Sequence, residues 1–101
     1  MGKVLVQVKV AIPVNFFRNG DHFVAHTPSL DLSTSGRTLE QAEERFTEIV
    51  QMFIEDLVEQ GTLDEVLQSY GWHKATKPKP HWVPPRLVRS DVQEASIPVG
   101  A

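Results

Sequence analysis

A long amphipathic segment between Thr38 and Gly61 constrains the fold of this chain more than any other feature. Thr38 and Gln41 match a capping box, in which the hydroxyl and the amide satisfy free N–H groups at a helix start. Gly61 suits the left-handed position after the last turn of a helix. The apolar residues between these signals recur at helical spacing; they are Leu39, Ala42, Phe46, Ile49, Val50, Phe53, Ile54, Leu57 and Val58. The sequence therefore predicts a helix over Leu39–Val58 with one buried face.

The N-terminal residues predict a strand with one buried face, because apolar residues alternate there with a period of two. Pro13 lacks an N–H, so the end of this strand is expected at a sheet edge or a bulge. The alternating residues are Val4, Val6, Val8, Val10, Ile12 and Val14.

Asn19-Gly20 predicts a two-residue hairpin turn, because a type I′ turn needs positive φ at both central residues. That loop would place Phe16 across from Phe23 and Val14 across from Ala25. The second strand is predicted over 22–27. Leu30 and Leu32 alternate with polar residues and indicate a short third strand, followed by a turn at 35–37.

Beyond the long helix, Thr62 and Glu65 match a second capping box, which predicts a short helix ending at Gly71. Prolines at 78, 80, 84 and 85 predict an extended linker over 72–85. Val92–Val99 is predicted to be a last strand, in the sheet of this subunit or of a neighbour.

These elements define an α+β fold, a small β-β-β-α-(α)-β domain with a mainly antiparallel sheet packed on one long helix. The domain is predicted over 1–71, with the linker and last strand over 72–101. At 101 residues the chain forms one modest core, so burial against a partner subunit in a homodimer or higher homo-oligomer is expected. The chain has no cysteine, which excludes disulfides and thiolate metal sites and fits a cytoplasmic protein. No apolar run reaches membrane-spanning length.

The stretch "HFVAHTPSLDLSTSGRTLEQAEERFTEIVQMFIEDLVEQGTLDEVLQSYGW" (residues 22–72) resembles the HicB-like antitoxin family. The matching pattern is a Phe-Val-Ala strand, a Pro and a Leu, a polar Ser-Gly, then Thr-Leu-Glu-Gln-Ala and an apolar helix. The resemblance implies a truncated ribonuclease H-like fold and a partner, a small basic HicA-like toxin that cleaves messenger RNA. Many family members also carry a C-terminal DNA-binding module, but the prolines after Gly71 exclude such a helix pair here.

Five glutamates of the predicted helix share one stripe, and we call them the acidic stripe. They are Glu40, Glu44, Glu48, Glu55 and Glu59. Arg45 is the only basic residue between Thr38 and Glu65. Together with the hairpin edge, the stripe is a candidate surface for a basic partner. The alternative interpretation is a solvated helix face, in an orphan structural or regulatory homo-oligomer without a toxin.

A basic segment downstream suggests single-stranded nucleic-acid binding, because cations interleave with aromatic rings that can stack on bases. Its candidate residues are Lys74, Lys77, Lys79, Trp82 and Arg86. In the competing interpretation the tryptophans anchor the linker on the domain and the lysines solvate it.

No catalytic, metal or cofactor site is predicted. His22 and His26 share a strand face but lie about 13 Å apart, which is too far for one metal ion. His73 and His81 flank the predicted linker. The ribonuclease H reaction needs clustered acids, and the predicted strands offer only Asp21 and Asp31. We therefore expect a protein-binding module that is not an enzyme.

Overall fold

The computed structural model describes residues 7–100 and confirms a small α+β domain. Three strands form an antiparallel sheet in the order β1-β2-β3, and β4 and β5 form a separate antiparallel pair. The elements are β1 Asn15–Asn19, β2 His22–Thr27, β3 Leu32–Gly36, α1 Leu39–Gln60, α2 Leu63–Ser69, β4 His73–Ala75 and β5 His81–Val83. None of the helices in the described part of the chain is long and apolar enough to cross a membrane.

The core lies between the sheet and α1 and extends beneath α2. One buried cluster joins Ala25 of β2 to Ala42 and Phe46 of α1. A second joins Leu30, Leu67 and Trp72, so it ties the turn before β3 to α2 and to Trp72, which lies three residues beyond the end of α2. The predicted burial of one helix face against the sheet is confirmed.

The predicted N-terminal strand differs from the structure. Val4 and Val6 lie outside the described residues, and residues 7–14 form no strand. Burial nevertheless alternates as predicted from Val10 onward, because Val10, Ile12 and Val14 pack against the two core clusters, whereas Val8 is 42% exposed. Pairing fails because β2 ends at Thr27 and the chain then turns, which leaves no strand opposite the residues before Val14.

The hairpin forms, but its predicted register is wrong by two residues. Phe16 lies across from Ala25, and Arg18 lies across from Phe23. Gly20 has φ of 64° and Asp21 does not have a positive φ, so the loop is Gly20-Asp21 with the φ pattern of a type II′ turn. Because the shift is an even number of residues, each side chain stays on its predicted face.

The third strand begins two residues later than predicted. Leu30 lies in the turn and is fully buried, while Asp31 takes a left-handed φ of 50°. This turn sends the chain back along β2, and pairing starts at Leu32 opposite Thr27. Gly36, predicted in a turn, is the last residue of β3.

The caps of α1 are confirmed. The Thr38 hydroxyl accepts a hydrogen bond from the Gln41 N–H at 3.0 Å, and the Gln41 side chain accepts one from the Arg37 N–H at 2.7 Å. Gly61 takes φ of 71° after the last turn. Both ends of the helix therefore follow local sequence signals.

The second capping box does not form, although α2 does. The Thr62 side chain makes no capping hydrogen bond. The N–H of Thr62 instead donates to the Leu57 carbonyl at 2.9 Å, which ties Thr62 into the C-terminal turn of α1. Its φ and ψ of −114° and 10° are therefore not the extended values of an N-cap residue.

The two threonines give a matched stability test. We expect Thr38→Ala to lower the free energy of unfolding by about 1 kcal/mol, because it removes a capping hydrogen bond. Thr62→Ala should change it by less than half as much, because no such bond exists. Urea denaturation of both variants measures the difference, and equal losses would contradict the structure.

The segment predicted as a linker contains a short hairpin. Residues 73–75 pair with residues 81–83, and His73 lies across from Val83. The prolines do not prevent this pairing, because Pro78 and Pro80 lie in the loop and Pro84 and Pro85 follow β5. Trp72 and Trp82 fix the hairpin to the second core cluster.

The predicted last strand does not form within the chain. Residues 86–100, here called the C-terminal tail, have neither helix nor strand and are exposed throughout. No strand of the described residues lies beside Val92–Val99 to pair with it. Pairing with a neighbouring subunit stays a prediction.

Candidate protein-interaction surface

The acidic stripe lies on the solvent side of α1, opposite the residues that face the sheet, and all five of its glutamates are exposed. Glu40 and Glu59 are 19 residues apart, which at 1.5 Å per residue makes the stripe about 29 Å long. The helix that holds them is fixed by its two caps and by Ala42, Phe46 and Leu57, which are buried.

No cation of residues 7–100 neutralises the acidic stripe. The ion pairs in this part of the chain involve other carboxylates, those of Asp21, Asp31, Asp64 and Asp91. Arg45, the one basic residue of α1, turns away and donates from Nη1 to the Ser35 carbonyl at 2.9 Å. Within the stripe, only Glu55 has a side-chain partner, the Gln51 amide at 3.0 Å. The acidic stripe therefore concentrates negative charge on one side of α1.

Two residues of this surface, Glu43 and Met52, were not predicted. Glu43 joins Glu40, Glu44, Thr47 and Glu48 on the exposed surface of the first turns of α1. The sequence could have indicated Glu43, because residues three positions apart on a helix are neighbours and Glu43 follows Glu40 by three positions.

Met52 is the second missed residue. It is 61% exposed and lies four residues after Glu48 and three before Glu55, so it borders the stripe. Val58, 42% exposed, adds a second apolar contact point between Glu55 and Glu59. The C-terminal half of the stripe thus combines carboxylates with exposed apolar side chains.

The structure divides the candidate nucleic-acid residues among three places. Lys74 and Trp82 lie in the β4–β5 hairpin, Lys77 and Lys79 in its loop, and Arg86 at the start of the C-terminal tail. Lys74 is already engaged, with Nζ 3.2 Å from an Asp64 carboxylate oxygen and 5.2 Å from the centroid of the Trp82 ring.

The two tryptophans are structural in this arrangement. Trp72 is buried, and its Nε1–H donates to the Ser29 carbonyl at 2.8 Å. Trp82 packs on the second core cluster, and Lys74 lies over its ring. These contacts favour the interpretation in which the tryptophans anchor the segment, because Trp82 is not a free stacking platform.

The histidines and the two sheet aspartates form local pairs. His22 Nδ1 lies 2.6 Å from Asp21 Oδ1, and His26 Nε2 lies 3.5 Å from Asp31 Oδ1. Asp21 and Asp31 are in turns at opposite ends of β2, so they do not converge on one point. No group of three potential metal ligands occurs among residues 7–100.

Comparison with protein-family models, with curated proteins and with solved structures finds no match to this chain. The resemblance to HicB-like antitoxins therefore depends on the order and spacing of residues 22–72 alone.

Proposed function

We propose that this chain is a non-catalytic protein-binding module that uses the acidic stripe to cover a basic partner. The resemblance to HicB-like antitoxins implies the partner, a small HicA-like toxin that cleaves messenger RNA. The observation that supports the proposal most is the isolation of the stripe, whose glutamates are exposed and have no cationic partner in the described residues.

The energetics of α1 favour an external partner. Like charges four residues apart destabilise a helix by about 0.2–0.5 kcal/mol per pair, and the stripe holds such pairs at Glu40/Glu44, Glu44/Glu48 and Glu55/Glu59. A basic surface placed over the helix would relieve this repulsion. A basic partner would also be attracted to the stripe from a distance, because attraction between oppositely charged surfaces raises association rates.

The chemistry of the implied partner matches this surface. A protein that grips RNA needs cations in its cleft to bind phosphates. An acidic stripe about 29 Å long can occupy such a cleft and exclude the RNA. Met52 and Val58 would supply the apolar contacts that protein interfaces hold within a polar rim.

Charge reversal tests the contact surface. We expect the triple variant Glu44→Lys, Glu48→Lys, Glu55→Lys to weaken binding of the basic partner by about 10- to 100-fold, from repulsion between like charges. Its free energy of unfolding should stay the same or rise slightly, because the Glu40/Glu44 and Glu55/Glu59 repulsions become attractions while positions 44 and 48 still carry like charges. Isothermal titration calorimetry and urea denaturation measure the two quantities.

A single variant, Glu65→Lys, is the control, since it shifts the net charge in the same direction on an exposed residue of α2. Unchanged affinity in the triple variant would remove the acidic stripe from the interface. Equal weakening of binding in both variants would show that the effect comes from net charge and not from the acidic stripe.

The partner itself is found by co-expression with the product of the adjacent reading frame, followed by affinity purification. The proposal expects a short basic protein that co-purifies at low salt and is lost with the triple variant. A neighbour that is not basic, or one that does not bind, would contradict the antitoxin proposal.

A further inference from the structure

Among the described residues, the sheet has an open edge that continues beyond its last paired residue. β1 is an edge strand, and residues 8–14 lead into it with Val10, Ile12 and Val14 packed in the core. The backbone of residues 8–14 makes no hydrogen bond with any other described residue. Unpaired edges of this kind are templates for another strand.

The hairpin register shows which groups this edge offers. Asn19 and His22 flank a two-residue loop, which makes them a hydrogen-bonded pair. Odd-numbered residues of β1 therefore bond to β2, and even-numbered residues direct their N–H and C=O outward. Pro13 is odd-numbered, so an extended segment 8–14 presents an outer edge with no missing donor.

The C-terminal tail has the complementary features. Ala95, Ile97 and Val99 alternate with polar or small residues, and Ile97 and Val99 are 78% and 89% exposed. Pro98 can lie in a strand only if its nitrogen faces away from the partner. In that orientation the odd-numbered residues of the tail form the hydrogen bonds.

We propose that residues 91–99 of a second copy of this chain add as an antiparallel strand to the edge formed by residues 10–18. In an antiparallel pair, hydrogen-bonded residues lie opposite each other on the same face. The orientations set by Pro13 and Pro98 therefore place the alternating apolar residues of the tail on the core face, beside Val10, Ile12 and Val14. A parallel strand would put them on the opposite face.

One register of this strand pairing gives the best side-chain contacts. With Ile97 opposite Ile12, Val99 lies opposite Val10 and Ala95 opposite Val14. On the outer face, Val92 then lies opposite Phe17, which is 55% exposed. Asp91 lies opposite Arg18, so the pairing also joins opposite charges.

The donor is a second copy because no residue of the tail packs in or against either core cluster of its own domain. Residues 86–100 are exposed throughout. If each chain donates its tail to the sheet edge of the other, both edges gain a hydrogen-bonded strand. The two contacts are then equivalent, as a closed two-fold dimer requires.

A cysteine pair tests the register directly, because the chain has no native cysteine. Asn15 and Glu94 would form a non-hydrogen-bonded pair with Cα atoms about 4.5 Å apart, within disulfide range. Mixing the single variants Asn15→Cys and Glu94→Cys under mild oxidation should give a crosslinked heterodimer. Ala95→Cys in place of Glu94→Cys is the control and should crosslink at least about tenfold less, since its side chain lies on the other face.

Light scattering with size-exclusion chromatography tests the apolar contacts. We expect a dimer for the natural sequence and a monomer for Ile97→Asp. Leu87→Asp is the matched control, because Leu87 is equally exposed at 78% and lies outside the proposed strand, so this variant should stay dimeric. A monomeric natural protein would overturn the proposal. A disulfide that forms only within the double variant Asn15→Cys/Glu94→Cys, and not between single variants, would show a tail bound to its own edge and would also overturn it.

Discussion

Replacing Trp72 by alanine should lower the free energy of unfolding by about 3–5 kcal/mol, the usual cost of deleting a large buried aromatic side chain. Trp72 is 5% exposed and packs against Leu30 and Leu67. Its Nε1–H also satisfies the Ser29 carbonyl, which would lose its partner. Domains of this size are stable by about 5–15 kcal/mol, so the loss is a large part of the total.

Urea denaturation followed by circular dichroism measures this loss. Trp72→Phe keeps most of the aromatic volume but removes the hydrogen bond, so it should cost about 1–3 kcal/mol. Tyr70→Ala is the control, because Tyr70 lies two residues away and is 38% exposed; it should cost clearly less. A Trp72→Ala variant as stable as Tyr70→Ala would show that the segment after α2 is not anchored as described.

Replacing Gly36 by alanine should destabilise the domain by about 3 kcal/mol, because the new methyl group would overlap backbone atoms. A Cβ at this position would lie 2.6 Å from the Ala42 nitrogen and 2.9 Å from the Gln41 carbonyl carbon. These atoms belong to the first turns of α1 and cannot move as a flexible side chain would. The strand and the helix would have to separate.

Gly61→Ala separates this clash from the conformational cost of replacing glycine. A Cβ on Gly61 meets nothing within 4 Å, but φ is 71°, so the expected cost is only about 1–2 kcal/mol. Thermal and urea unfolding of the two variants give the comparison. A Gly36→Ala variant that loses no more stability than Gly61→Ala would contradict the close packing of β3 on α1.

The elements that were predicted correctly are those set by local chemistry. Thr38, Gln41 and Gly61 fix the ends of α1 through hydrogen bonds to residues within a few positions along the chain. The alternating burial of Val10, Ile12 and Val14 also follows from the sequence pattern. Such signals do not depend on where the rest of the chain lies.

One local prediction, the Thr62 capping box, is wrong because Thr62 belongs to the C-terminal turn of α1. The other errors concern pairing between segments. Whether residues 7–14 become a strand depends on where β2 ends, and β2 ends at a turn whose geometry depends on Asp31. The β4–β5 hairpin forms because its prolines fall in the loop and after the second strand, which composition alone does not show. The hydrogen bond from Trp72 to Ser29 joins residues 43 positions apart and has no local signal.

The candidate surface was predictable in part. The helical period places the acidic stripe on one side of α1, and the structure shows all five glutamates exposed. That Arg45 bonds to Ser35 and leaves the stripe without a cation could not be predicted, because it depends on the position of β3. The exposure of Met52 depends likewise on the angle at which α1 lies on the sheet.

The most direct test of the account measures RNA cleavage by the proposed basic partner, with and without the purified domain. We expect cleavage to fall to background at a one-to-one ratio, to persist with the Glu44→Lys, Glu48→Lys, Glu55→Lys variant, and to be absent when the domain is alone with RNA. Undiminished cleavage in the presence of a saturating amount of the domain, or cleavage by the domain itself, would contradict a role in which an acidic helix occludes a basic ribonuclease.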